Sequence, residues 1–412
     1  MKVYITGQGT LTSLGNSVEE SWKNLAAGRT GVRAYPEWKQ YNGLHSHLGA
    51  PVGAYDISRI PRQTRRTMSR MSEMASLATF QALAQADLAP GPGLNRPRTL
   101  LIMGSTSGSP ETLETYFRKL FEKGGPEGQF STSFFKVMNH SVAANVAASL
   151  EFNGALLAPS SACASSAQAM ILGWELIKAG IYDTVIAGGA DELHYMSTAI
   201  FDIVGAASRK YNDAPDLSPR PFDRARDGLV VSEGAAVVVM ESEKAMRARG
   251  GRPIAEFLGG AYLCDGTHMS QSSAKTMGEV MRLALERAGR AISDVDYVNA
   301  HATGTVHGDA EEAKAIGETF GRNVPVSSLK GHFGHTLAAC GTLEVISSIK
   351  MMEVGHLVPT RNLNDVAEEC SGIRHVSAAD ACPARIRAVL SNNFAFGGMN
   401  TSLVIGGLGS PS

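Results

Sequence analysis

The sequence predicts an α/β protein in which helices cover sheets and the chain falls into two related halves. Short apolar strands alternate with helical stretches along the whole length, the pattern expected of sheets packed beneath helices. The composition is 43% hydrophobic with 44 glycines and only 19% charged residues, below the ~25% charge usual in globular domains, so the buried faces are extensive. One order of elements also occurs twice. A helix ending ALAQADL leads to the strand RTLLIMGSTSG, and a later strand runs through PSSAC into a helix; then MRLALERAG leads to DYVNAHATGT, and VPVSSLKGHFGH runs into a helix. This echo divides the chain into residues 1–250 and 251–412 and places Cys163 and His335 at equivalent helix starts.

The N-terminus, MKVYITGQGTLTSLG, reads as a strand entering a glycine turn and lacks the charged region, apolar core and cleavage site of a signal peptide. A cytoplasmic location is expected. LLIMGS, TVIAGGAD, AAVVVME, DYVNAH and AVLSNNF are strand candidates. MSRMSEMASLATFQALAQA, ASSAQAMILGWELIKAG, AKTMGEVMRLALERAG and TLAACGTLEVISSIKMMEVG carry apolar residues at helical spacing. Residues 108–140 break the alternation with a charged helix and a Gly-Pro turn, and read as an inserted cap or dimer element. The uncharged run FNGALLAPSSACASSAQAMILGW has too many small and polar residues for a membrane span and reads as buried. A net charge of −1 provides no field for nucleic acid or an anionic membrane. The five cysteines, Cys163, Cys264, Cys340, Cys370 and Cys382, are odd in number without CxxC spacing, which argues for reduced thiols over a disulfide framework or structural zinc.

Cys163 lies where a strand, a tight turn and a helix meet. A helix start favours thiolate through its dipole and its unsatisfied N–H groups, and the layout is like the elbow that presents a nucleophile in other α/β enzymes. The competing reading is a small buried hydrophobe. His301 follows the strand YVNA and His335 sits in KGHFGHTLAACG, both at loop ends where α/β sites gather. His307 and His332 read as bystanders. With no HExxH or CxxC spacing, and Asp309 the only carboxylate close to His307, no catalytic metal is expected.

Six motifs then occur in order: VYITGQGTLTSLGNSVEESWKNLAAGRTGV, SSACASSAQ, RPFDRARDGLVVSEGAA, NAHATGTVHGDAEEA, SLKGHFGHTLAACG and SNNFAFGGMN. Over nearly its whole length the chain resembles a β-ketoacyl-acyl carrier protein synthase of the thiolase superfamily, of the elongating KAS I/II branch and its polyketide ketosynthase kin. The resemblance implies a five-layer αβαβα architecture from two pseudo-equivalent halves. It implies a nucleophile at Cys163, paired histidines at His301 and His335, Lys330 supported by Glu344, and an oxyanion hole from the backbone N–H groups of Cys163 and Phe396. Thr303 and Thr305 match pantetheine-binding threonines, and Phe394, Ala395 and Phe396 match an acyl gate. Arg59, Arg62, Arg65, Arg66 and Arg70, with Arg209 and Lys210, are candidates for docking an acidic carrier protein, although a solvated helix face accounts for the same charges.

The implied reaction is decarboxylative condensation of an acyl group on Cys163 with malonyl-acyl carrier protein in fatty-acid elongation. No cofactor is bound, and substrates ride on phosphopantetheine. The implied assembly is a homodimer, with a heterodimer of related subunits as the alternative. A specialised polyketide or polyene ketosynthase is the alternative function, and a non-catalytic chain-length-factor-like partner is disfavoured by Cys163. The chain departs from the family pattern at Ala302, Ala395 and Met399, which replace Gly, Gly and Thr. An alanine at 395 that had to turn left-handed would be penalised by about 1 kcal/mol.

Overall fold

The computed structural model describes residues 1–91, 94, 97–266, 269–270, 273–376 and 385–408; Cys382 lies outside them. Thirteen strands form among these residues: β1 Val3–Leu11, β2 Arg33–Ala34, β3 Leu48–Gly49, β4 Thr99–Gly104, β5 Ala155–Leu157, β6 Thr184–Asp191, β7 Gly234–Ser242, β8 Ala255–Cys264, β9 Tyr297–Asn299, β10 Pro325–Ser327, β11 Arg374–His375, β12 Ala388–Ala395 and β13 Met399–Gly406. Eleven of them follow one hydrogen-bonded order, β11-β10-β9-β12-β13-β8-β1-β7-β6-β4-β5, while β2 and β3 pair separately.

The long order has a thin seam, because β1 and β8 share only Tyr4↔Glu256 and Ile5↔Ala255. Outward from the seam, β1, β7, β6, β4 and β5 are joined antiparallel, antiparallel, parallel, parallel. On the other side β8, β13, β12, β9 and β10 repeat that pattern, and β11 adds one parallel strand.

Three cores show how the layers stack. Leu100, Ile102, Val185, Ala187, Val238 and Met240 of the first half-sheet meet Tyr297, Val389, Leu403 and Ile405 of the second in one cluster, which also contains the apolar residues of helices Ser165–Lys178 and Cys340–Val354. The alternate residues Leu101, Met103, Ile186, Val237 and Val239 face the outer helices Arg70–Gln85 and Ser141–Ser149. Likewise Val298, Leu390 and Val404 face Ala274–Ala288 and Val306–Phe320. Both half-sheets are therefore covered on both faces, giving five layers, and their strands read as continuous apolar runs for that reason. Among the described residues no helix is long and apolar enough to cross a membrane.

The two halves superimpose in plan with one correction to the register inferred from sequence. Cys163 lies in the 3₁₀ turn Ala162–Ala164, and the corresponding turn of the second half is Leu337–Ala339. Ala162 and Leu337 open these turns at φ +46° and +50°, so the counterpart of Cys163 is Ala338. His335 precedes the turn and is not the equivalent of the cysteine.

β1 approaches the outer helix Arg70–Gln85 so closely that a Cβ on Gly9 would fall 2.0 Å from the backbone oxygen of Ala78. Gly9→Ala is expected to destabilise the fold by about 1–3 kcal/mol, the usual size of an overpacking penalty. Gly53→Ala, where a Cβ meets nothing within 4 Å, should stay within about 0.5 kcal/mol of the parent. Urea unfolding of the two variants provides the comparison, and equal midpoints would refute the packing argument.

Candidate active site

Cys163 is positioned by the turn between β5 and helix Ser165–Lys178. The Ser161 amide donates to Ser165 Oγ at 2.9 Å, and that hydroxyl donates to the Ala162 carbonyl at 2.7 Å. The turn is braced from the other half, where the Cys340 thiol donates to the Cys163 carbonyl at 3.0 Å. Asp191, at the end of β6, accepts from the Ala338 amide at 2.9 Å, from Ser105 Oγ at 2.7 Å and from the Thr106 amide at 3.0 Å. One buried carboxylate thus ties both halves together beside the site.

His301 follows β9, and two carboxylates of helix Val306–Phe320 hold its loop by the backbone. Glu312 accepts from the amides of His301 at 2.8 Å and Ala302 at 2.6 Å; Asp309 accepts from Thr303 at 2.9 Å and Gly304 at 3.1 Å. Burial pushes Glu312 up to about 8 and Asp309 up to about 6, with these N–H donors pulling the other way. Sequence reasoning assigned no role to Glu312 or Asp191 and saw Asp309 only as a neighbour of His307. The signal available was a pair of acidic residues in the first two turns of a helix after a Gly/Thr loop.

His335 is fixed through its backbone, donating to the Val230 carbonyl at 2.8 Å and accepting from the Ser232 amide at 2.9 Å. Its Nε2 lies 2.9 Å from Cys163 Sγ. The thiol sulfur and one nitrogen of each of His301 and His335 lie within 4.8 Å of one another, and the two imidazoles meet edge to face at 5.3 Å between centroids. The sequence-predicted triad therefore converges. Behind it, Lys330 and Glu344 form an ion pair with both side chains buried, and Glu344 accepts a second bond from Asn393 Nδ2 at 2.6 Å.

Burial sets the protonation of this cluster. It works against the Lys330 ammonium, but the facing Glu344 carboxylate together with Cys340 and Glu312 outweighs it, and the lysine sits above its ordinary value. His301 and His335 are both pushed well below theirs, by burial first and then by the Lys330 charge, so both imidazoles are neutral. The thiolate expected at Cys163 is not the resting state. Burial pushes this thiol up to about 12 against the pull of Lys330, because desolvating a thiolate exceeds what a helix start supplies.

The three residues form the floor of a cleft of about 330 Å³ walled by Phe201, Phe394 and Phe396. Thr303 and Thr305 line its way out, with the Thr303 hydroxyl donating to that of Thr305 at 3.1 Å. Ala395 ends β12 and packs with Cys163, Ala164 and Cys340. It is not left-handed, so its methyl group brings no backbone strain; the left-handed residues are Gly397 and Gly398 at φ +90° and +74°. Of the candidate docking cations, Arg59, Arg62, Arg66 and Lys210 are exposed and Arg65 is half-buried. Arg70 is committed to Glu233, donating from Nη2 at 2.6 Å and from Nε at 2.9 and 3.0 Å. Arg209 pairs with Asp202 at 2.7 Å.

A duplicated five-layer fold that brings one thiol and two neutral imidazoles to a single cleft floor follows the thiolase-like plan. The Beta-ketoacyl synthase N-terminal domain matches residues 1–245, and the C-terminal domain of the same family matches residues 254–364. The chain is 35% identical over 408 residues to 3-oxoacyl-[acyl-carrier-protein] synthase 1 of Escherichia coli (strain K12), covering 98% of each chain. It is similar to the crystal structure of a β-ketoacyl synthase from Burkholderia phymatum STM815, with a TM-score of 0.95 and 41% identity over 99% of each chain. It is also similar to the ishigamide ketosynthase/chain length factor, with a TM-score of 0.90 and 28% identity over 99% of each chain. The chain belongs to the β-ketoacyl synthase family and is a condensing enzyme of the KAS I/II type, an acyltransferase.

A raised thiol pKa means that the protonated form persists as pH rises and the reactive thiolate gains steadily. Alkylation of Cys163 by iodoacetamide, followed by peptide-resolved mass spectrometry, should therefore accelerate by about tenfold per unit between about pH 6 and 9. A plateau below pH 8 would show a thiolate already formed.

Proposed function

We propose that this chain elongates acyl groups by decarboxylative condensation on an acyl carrier protein, in fatty-acid elongation. The observation that carries this reading is the 2.9 Å contact between His335 Nε2 and Cys163 Sγ, with His301 part of the same cluster.

In the first half-reaction Cys163 Sγ attacks the carbonyl of an acyl thioester carried on phosphopantetheine. The thiol is protonated at rest; its proton leaves as the S–C bond forms and ends on the departing pantetheine sulfur, while the N–H of His335 faces the developing negative charge on sulfur. The backbone N–H groups of Cys163 and Phe396 hold the oxyanion. A malonyl thioester then enters, with Thr303 and Thr305 on its pantetheine arm. The neutral imidazoles of His301 and His335 donate N–H to its thioester carbonyl. The bond from the α-carbon to the carboxylate breaks, CO₂ leaves, and the electron pair forms an enolate stabilised by the two donors. The enolate carbon attacks the acyl-Cys163 carbonyl, and collapse of the adduct releases the cysteine sulfur and the 3-oxoacyl product.

Burial, reinforced by the charge of Lys330 held by Glu344, keeps both imidazoles in the neutral form that donates. Residues 1–250 supply the nucleophile and 251–412 the histidines. Arg59, Arg62 and Arg66 are exposed cations suited to an acidic carrier surface.

A homodimer completes this reading. The edge strand β5 exposes Leu156 and Leu157, at 37% and 40%, and residues 108–140 expose Phe130, Phe134 and Phe135, an unusual load of apolar surface for a free edge. Leu157→Lys should convert a dimer into a monomer in sedimentation velocity; parent and variant of equal mass would remove this support.

His301→Ala and His335→Ala should retain measurable acylation of Cys163, read by intact mass, yet lose condensation with malonyl-carrier protein by about 10²–10³, the usual cost of one oxyanion donor. Condensation at the parent rate in both variants would return these histidines to a structural role.

A further inference from the structure

The cleft wall runs from buried floor to open mouth along one stretch of chain. His301 and Thr303 are each 7% exposed, Thr305 is half-buried, Val306 is 61% exposed and His307 is exposed; all five line the cleft. A pantetheine arm whose thioester reaches Cys163 therefore leaves past Thr303 and Thr305 and emerges beside His307.

The other ionisable side chains lining that wall, beyond the catalytic floor, are carboxylates: Asp227, Asp309 and Glu312. Asp309 and Glu312 are buried and taken up by the backbone amides of the loop. Asp227 accepts from Ser208 Oγ at 2.8 Å and from the amides of Arg209 and Lys210 at 2.7 and 2.8 Å. Among the described lining residues, His307 is the one side chain at the mouth that offers an N–H donor. It stands in the first turn of the 15-residue helix Val306–Phe320, whose N-cap Thr305 makes no side-chain capping bond. The first-turn amides thus add donors of the same polarity.

We infer that His307 binds the phosphate joining the pantetheine arm to its carrier, and so favours phosphorylated arms over bare pantetheine thioesters. This rests on the proposed reaction for the identity of the arm. It separates the wall into a hydroxyl stretch for the amides of the arm and an N–H-donating end for its phosphate.

The test reads binding alone, so it stands whether or not the enzyme condenses malonyl units. Dissociation constants of phosphopantetheine and of pantetheine are measured by calorimetry for the parent, His307→Gln and His307→Arg. In the parent, phosphopantetheine should bind more tightly. Its advantage over pantetheine should fall by about fivefold in His307→Gln, the scale of an exposed charged contact, and should be kept or increased in His307→Arg. An advantage unchanged in His307→Gln, or lost equally in both variants, would overturn the assignment. Absence of condensation by a parent that shows the phosphate advantage would instead count against the proposed reaction.

Discussion

The site depends on how closely two helix starts approach one another in the middle layer. Gly341 and Ala167 meet there, and a Cβ on Gly341 would fall 2.7 Å from the Ala167 Cβ and 2.8 Å from its amide nitrogen. Beside that contact the Thr342 amide donates to Ser166 Oγ at 3.1 Å, and the Cys340 thiol reaches the Cys163 carbonyl. Each helix is tied to its own half-sheet, so bringing their starts together also brings together the strand ends that precede them. That is why a cysteine after β5 and histidines after β9 and β10 share one floor although 172 positions separate Cys163 from His335. A side chain at 341 would push the halves apart and open every distance in the cluster at once.

Enclosing the cluster has electrostatic consequences that do not act in the same direction. A buried ion pair such as Lys330–Glu344 is weak evidence for stability, since desolvation offsets much of the attraction. Its effect here is local: burial already disfavours a charged imidazole, a cation held beside the two rings makes it costlier still, and both histidines stay neutral. The same burial keeps Cys163 protonated. For the proposed reaction this means that donors to an enolate are ready before substrate arrives, whereas the nucleophile forms only as its proton moves. The half-reactions therefore place opposite demands on one environment, and the 2.9 Å contact between His335 and Cys163 is where they are reconciled.

Much of this was legible in the sequence because strands covered on both faces leave apolar runs. TVIAGGAD and AVLSNNF fall in β6 and β12, and the four helices with apolar periodicity are present. β8 and β13 leave no such run. Gly259 and Gly260 interrupt the apolar run of β8, and β13 begins inside the motif SNNFAFGGMN and continues through the polar residues Asn400, Thr401 and Ser402. Helix Val306–Phe320 was hidden for a related reason: its first turns carry Asp309 and Glu312, whose partners are backbone amides, and no side-chain spacing records a bond to a backbone. The pairing of Cys163 with His335 as equivalent helix starts follows from matching the order of elements, whereas the fold matches conformation, φ +46° at Ala162 with φ +50° at Leu337. Equivalence of backbone and convergence of function are separate properties, and here they differ by three residues.

The stretch from Phe394 to Gly398 shows how such a difference changes an argument. Read against a glycine-bearing family pattern, Ala395 suggests a strained gate. In the fold it is the last residue of β12, paired with Met399 and packed against Cys163 and Cys340, so its methyl group fills space under the nucleophile. Conformational freedom belongs to Gly397 and Gly398, and both are tied down: the Gly397 amide donates to the Met269 carbonyl at 2.7 Å and the Gly398 carbonyl accepts from Asp265 at 2.9 Å. A backbone displacement of Phe396 bears on those glycines and those two bonds, while Ala395 is held in its strand. The substitution at 395 therefore acts on the packing beneath Cys163, and the backbone freedom next to Phe396 lies in the glycines that follow it.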